Sequence, residues 1–231
     1  MKTLKTLCLG MVAAAMLLTG CNSMTNTGKG ALIGGGSGAA VGAGIGALIG
    51  GGKGAGIGAA IGTAVGAGAG TLIGNRMDKQ KKELEKSLAN ADVETVQDQN
   101  GLAAIKVTFP GGILFPTNGT TLSASAQTEL AQFAASLKQN PETNVQIFGF
   151  TDNTGGMEVN TRIANGRALS VDRFLVDSGI APTRLSYQGI PMADYVASND
   201  PPAGRAQTRR VEIYITANQQ MIQQAEQGTL K

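Results

Sequence analysis

Histidine and tryptophan are both absent from the 231 residues, and cysteine occurs only twice. Without histidine the commonest general base, the commonest zinc ligand and every Ser-His or Cys-His nucleophile are excluded. An enzyme made from this chain would need a carboxylate or Ser-Lys mechanism, and no spacing of residues supplies one. Aromatic side chains are scarce too, with six Phe and three Tyr. A core must therefore come from the aliphatics of the last part of the chain, roughly 130 residues, which is enough for one domain. Excess charge of either sign is also lacking, since nineteen Lys and Arg face sixteen Asp and Glu. That balance is too small to suggest nucleic acid, whose binders cluster Lys and Arg on one face.

What is present begins with an address. Lys2 and Lys5 precede an apolar run from Leu7 to Leu18, and Thr19-Gly20-Cys21 follow. A basic head, a short hydrophobic stretch and small residues at its end predict a secretory signal over 1–20. The run is too short for a bilayer core, which needs about 20 residues. Leu18-Thr19-Gly20-Cys21 resembles the lipobox of bacterial lipoproteins, which implies cleavage before Cys21 and a covalent lipid on its thiol. Removal of Cys8 with the signal would leave no disulfide and no thiolate metal site. No other cofactor is implied. Several acyl chains on one cysteine anchor stably. Asn22 and Ser23 follow with no acidic residue nearby, which by resemblance to enterobacterial sorting favours the outer membrane.

After a linker over 21–29, glycine recurs at every fourth position from Gly30 to Gly74. The segment also repeats with a period of 24 residues, Gly28-Lys29-Gly30 returning as Gly52-Lys53-Gly54. In water each glycine weakens a helix by about 1 kcal/mol relative to alanine. In a bilayer the backbone has no other partner, and glycines four apart let two helices approach closely. The pattern predicts a membrane-associated hairpin of two glycine-zipper helices over 30–74, able to self-associate. A flexible spacer is the plainer reading, but it needs no such register. Residues 75–92 read as a polar helical connector that Asn75 separates from the ladder. Its narrow apolar stripe of Met77, Leu84, Leu88 and Ala91 is a packing seam.

Residues 93–217 carry the alternation of an α+β domain. Val93 to Gln97 and Ala103 to Phe109 predict a hairpin through Asn100-Gly101. Ile113 to Phe115 reads as a short strand. Ser123 can cap a helix that ends before Pro141. Val145 to Phe150 predicts a strand and 157–178 a second helix, with Ile163, Ala164, Ala168, Val171, Phe174 and Leu175 on one face. Arg184 to Gln188 and Arg210 to Thr216 supply two more strands, with a loop over 190–207 between them. The glutamine-rich stretch 218–231 reads as a flexible tail.

Gly149-Phe150-Thr151-Asp152-Asn153-Thr154-Gly155, then Asn160 and Arg167-Ala168, resembles the signature of the OmpA-like peptidoglycan-associated domain family. The likeness continues through Arg184, Gly189, Asn199, Gly204-Arg205-Ala206 and Arg209-Arg210-Val211-Glu212-Ile213. Lipobox, glycine zipper and this domain together are similar to outer-membrane lipoproteins of the YiaD type. The resemblance implies a βαβαββ fold that holds the diaminopimelate side chain of peptidoglycan stem peptides without catalysis. Peptidoglycan and membrane lipid are then the expected partners, and the domain would lie in the periplasm.

Diaminopimelate presents an ammonium and a carboxylate on one carbon, so its site needs an acid and a guanidinium at fixed separation. Asp152, just past a strand, can accept from the ammonium. Arg167 lies seven residues after Asn160, hence on the same helix face, and can donate a paired fork to the carboxylate. Thr151 and Asn160 would add neutral hydrogen bonds, and Arg209 and Arg210 could close the pocket. A structural pairing of Asp152 with Arg167 is the alternative for those two residues. Phe115-Pro116 replaces an aspartate-containing turn of the family, and Ile163-Ala164 replaces a Leu-Ser pair. An alternative function makes the zipper a membrane-inserting or oligomeric assembly element, with wall binding secondary.

Overall fold

The computed structural model describes residues 67–230 except 99 and 117. The expected signal, Cys21, the linker and most of the glycine ladder lie outside the described residues. The hairpin expected over 30–74 falls largely among them.

Helix α1 (Ala67–Ser87) enters a five-stranded sheet built from β1 (Asp92–Gln97), β2 (Ala103–Pro110), β3 (Thr143–Phe150), β4 (Leu185–Ile190) and β5 (Arg210–Ala217). The spatial order is β1-β2-β5-β3-β4. All neighbours are antiparallel except β3 and β4, which run parallel. A parallel pair needs a crossover, and α4 (Met157–Asp177) supplies it. Between β2 and β3 lie a four-residue helix α2 (Gly111–Leu114) and the longer α3 (Ala124–Gln139). From β2 onward the main elements run βαβαββ, which is the expected fold, and the β1 hairpin adds one strand.

Strand alternation divides the sheet into two faces. Val107, Phe109, Val145, Ile147, Ile213 and Ile215 join α3 and α4 in one large core. Phe148, Phe150 and Tyr214 form a small cluster apart from it. Ser123 caps α3 as expected, its hydroxyl accepting from the Ala126 amide at 3.1 Å. The β1–β2 turn is held by Asp98, whose carboxylate accepts from the Asn100 and Leu102 amides at 2.8 and 2.9 Å. Burial pushes the Asp98 carboxyl up, against those hydrogen bonds.

Four local expectations are corrected. Asn75 does not stop a helix, because α1 runs unbroken from Ala67 through Gly70, Gly74 and Asn75. Ala69 and Ile73 of the ladder are buried in the same core as Met77, Leu84 and Leu88 of the connector. The packing seam is therefore real and longer than expected, and burial of this stripe overrides the poor propensity of its glycines. Residues 111–115 form a helical turn rather than a strand. The Gly111 amide donates to the Arg209 carbonyl at 2.8 Å, and the Ser123 amide and hydroxyl donate to the Leu114 and Ile113 carbonyls, so no strand partner remains. Residues 202–208, expected in a loop, form helix α5 (Pro202–Thr208), for which Pro202 presets the first turn. The tail is also ordered into a helix. Asn218 caps α6 (Gln219–Glu226), and Met221, Ile222 and Ala225 are buried in the core cluster to which α1 also contributes.

The first two and last two turns of the described chain are thus part of the domain. Arg76 adds an ion pair to Glu142 at 2.8 Å. Leu84 is fully buried, so Leu84→Ala should lower the unfolding free energy by about 2–5 kcal/mol. Urea denaturation of the full chain checks this, and a change below about 0.5 kcal/mol would show that α1 is not docked.

Candidate functional site

The site is set by how closely α4 lies on the parallel strand pair. Gly149 of β3 and Gly189 of β4 are register partners. A methyl group on Gly149 would collide with the Ala164 carbonyl, and one on Gly189 with the Asn165 amide. Only glycine at both positions lets the α4 backbone descend onto the strands. The Gly189 amide then donates to the Asn165 side chain at 2.9 Å. This contact brings the first half of α4 beside the loop that leaves β3.

That loop carries Thr151 and Asp152, which are 2% and 3% exposed. One Asp152 carboxylate oxygen accepts from both the amide and the hydroxyl of Thr154, the amide at 2.9 Å. Its other oxygen pairs with Arg209 Nη1 at 2.5 Å. Gly155, at φ +86°, lets the chain turn toward α4. Asn160 locks the turn from the helix side, donating to the Thr154 and Gly156 carbonyls at 2.8 and 3.2 Å. Thr151 accepts from the Met192 amide at 3.1 Å, which ties the segment after β4 to the site.

Arg167 is 4% exposed. Its Nε donates to the Gly119 carbonyl at 3.1 Å, and its guanidinium lies 5.3 Å from the centre of the Phe115 ring. Among the described residues it has no ion pair, and its terminal nitrogens have no partner. Burial, with the neighbouring Arg209 cation, lowers its affinity for a proton, while Asp152 acts the other way.

Thr151, Asp152, Asn160, Arg167 and Arg209 meet in one open pocket of about 570 Å³. Arg210 does not line it. Successive strand residues point to opposite faces, and Arg210, the first residue of β5, turns beneath Phe150, 3.8 Å from the ring centre. There it pairs with Glu212 at 2.6 Å, while the Tyr214 hydroxyl donates to the same carboxylate at 2.8 Å. The alternative in which Asp152 simply pairs with Arg167 is not what forms, since Arg209 takes the carboxylate.

Sequence reasoning missed four contributors. Thr154 was legible in principle, because a hydroxyl two residues after an aspartate is a local turn signature. Arg162 and Asn118 line the pocket without any periodic signal. The Gly119 carbonyl that holds Arg167 is backbone, and no side-chain pattern reports it. The described residues build no catalytic constellation and contain no group of His, Cys, Asp and Glu able to hold a metal.

Residues 114–209 match the OmpA family, and residues 1–78 match the YMGG-like Gly-zipper family. The chain carries an OmpA-like domain behind a glycine-zipper region, consistent with lipoproteins of the YiaD type. It is 35% identical over 143 residues to Probable lipoprotein YiaD of Escherichia coli, covering 62% of this chain and 64% of that protein. It is 36% identical over 113 residues to Peptidoglycan-binding protein ArfA of Mycobacterium bovis, covering 49% of this chain and 35% of that one. The chain therefore spans less than two thirds of each of these relatives. A MotB-like protein from Desulfovibrio vulgaris shares the fold, with a TM-score of 0.54 at 23% identity over 65% of this chain and 96% of that one.

Burial alone would raise the Asp152 carboxyl, but the Thr154 hydrogen bonds and Arg209 outweigh it and hold the group below the usual carboxylate range. With the folded value depressed, the stabilisation from its ionised form is present above the unfolded value of about 4 and is lost as pH falls through the folded one. Asp152→Asn should accordingly lower Tm at about pH 6 and come closer to wild type near about pH 2. A Tm difference that grows on acidification would contradict this assignment.

Proposed function

We propose that the chain is a non-catalytic envelope tether, anchored in the outer membrane by lipid on Cys21 and binding peptidoglycan from the periplasm through the OmpA-like domain. The ligand is the diaminopimelate side chain of a stem peptide, held without a covalent bond. The observation that carries this reading is the pocket's separated charge. A carboxylate is held in place by Thr154, and a buried guanidinium faces the same space with no counter-ion among the described residues. A buried unpaired cation is costly, and a ligand carboxylate would relieve that cost. Asp152 accepts from the ligand ammonium, and Arg209, whose side chain is 39% exposed, is free to swing aside or share it. Thr151 and Asn160 stabilise the loop and contribute polar contacts. The name of the ArfA relative supports the ligand class.

Self-association through the zipper is a second role that one observation favours. A methyl group added at Gly70 or Gly74 would meet nothing within 4 Å, so this glycine stripe is open while Ile73 and Met77 pack inward.

The test is co-sedimentation of the full chain in mild detergent with purified sacculi. Charge-assisted hydrogen bonds contribute about 1.5–3 kcal/mol each, so Asp152→Asn and Arg167→Gln should each weaken binding by at least about tenfold. A Gly70→Leu, Gly74→Leu variant should keep wall binding and lose crosslinked oligomers. Undiminished binding by both pocket variants would refute the site, and unchanged crosslinking would refute the zipper role.

A further inference from the structure

The pocket holds more positive charge than the diaminopimelate side chain uses. Asp152, Arg162, Arg167 and Arg209 all line it, leaving a surplus of two positive charges. Asp152 is matched by Arg209. Arg167 and Arg162 have no ion pair among the described residues, and the Arg162 side chain forms no hydrogen bond to them either. A side-chain zwitterion is neutral as a whole, so it occupies Asp152 and Arg167 and leaves the surplus unanswered.

Resting on the diaminopimelate reading above, we infer that Arg162 is a specificity-determining residue that binds a second ligand carboxylate, one outside the zwitterion. Arg162 is exposed at the mouth of the pocket while Arg167 lies buried at its floor. Their backbone positions are five residues apart on α4, about 7.5 Å along the helix axis. That offset suits a ligand whose carboxylates are spread along a peptide rather than gathered on one carbon. A stem peptide trimmed to end at diaminopimelate offers two such groups, the backbone carboxylate of diaminopimelate itself and the free carboxylate of the γ-linked glutamate. Both are anionic at neutral pH, and together they match the surplus. Amidation or crosslinking of the contacted group removes the charge that Arg162 reads, so the site discriminates between free and capped stems.

The shared chemistry is a carboxylate, and its two sources are separable by synthesis. Three soluble peptides serve as probes: L-Ala-γ-D-Glu-meso-diaminopimelate, the same peptide amidated at the diaminopimelate backbone carboxylate, and the same peptide amidated at glutamate. Each is titrated calorimetrically into the full chain in detergent micelles. Wild type should bind one of the two amides about three- to tenfold more weakly than the parent, and the affected amide identifies the source. Arg162→Gln should bind the parent and that amide alike, and Arg162→Lys should restore part of the difference. Equal binding of all three peptides by wild type, or discrimination that survives in Arg162→Gln, overturns the role of Arg162 and leaves the diaminopimelate site standing. Failure of wild type to bind the parent peptide, or parent binding untouched by Asp152→Asn, overturns the underlying reading and this inference with it.

Discussion

The two glycines that face each other across the parallel strands, Gly149 and Gly189, set the distance from which everything else in the site follows. Because neither carries a side chain, α4 rests its backbone directly on β3 and β4. The loop leaving β3 and the first turns of α4 then share one small volume. Asp152 belongs to the loop and Arg167 to the helix, so the gap between acid and base is a property of backbone packing rather than of flexible side chains. Binding groups placed this way lose little entropy when a ligand arrives. Asn160 fastens helix to loop by two hydrogen bonds, and Thr154 fixes the orientation of the carboxylate. These bonds fix the pocket's walls to one another.

A second constraint joins the domain to whatever precedes it. The last residues of the glycine ladder continue without a break into α1, and Ile73 and Met77 are as deeply buried as the centre of the sheet. Arg76 to Glu142 and the α6 contacts clamp the same helix. The helix that carries the last ladder glycines is thus part of the domain core. Cutting the chain at residue 92 would remove fully buried residues of that core, so binding experiments belong with the full chain.

Much of this was legible beforehand, and what was not has local causes. The helical stripe of Ile163, Ala168, Val171 and Leu175 identified α4, because one-sided burial imposes that period directly, while Val145 to Phe150 was legible as a short apolar run buried on both faces. Asp152, Asn160 and Arg167 followed from motif and helix spacing, and all three line the pocket. The start of β5 at Arg210 was read correctly, but choosing between Arg209 and Arg210 required knowing which face of the sheet each side chain takes, since neighbouring residues point to opposite faces. Ile113 to Phe115 was too short for periodicity to separate a strand from a helical turn. Around Met221 and Ile222 the surrounding glutamines concealed a short buried stripe. Asn75 misled because local propensity is weaker than the burial of Ile73 and Met77 on either side of it. Arg162 carried no local signal, because only the fold brings it to the pocket that Arg167 and Arg209 also line.

The proposed role requires the pocket to recognise an ammonium and a carboxylate on one carbon. The most direct measurement is a calorimetric comparison of two otherwise identical stem peptides, one containing meso-diaminopimelate and the other lysine in its place. Lysine keeps the ammonium for Asp152 and lacks the carboxylate for Arg167. The lysine peptide should bind at least about tenfold more weakly, the loss of one charge-assisted pair. Equal affinity for the two peptides would contradict it.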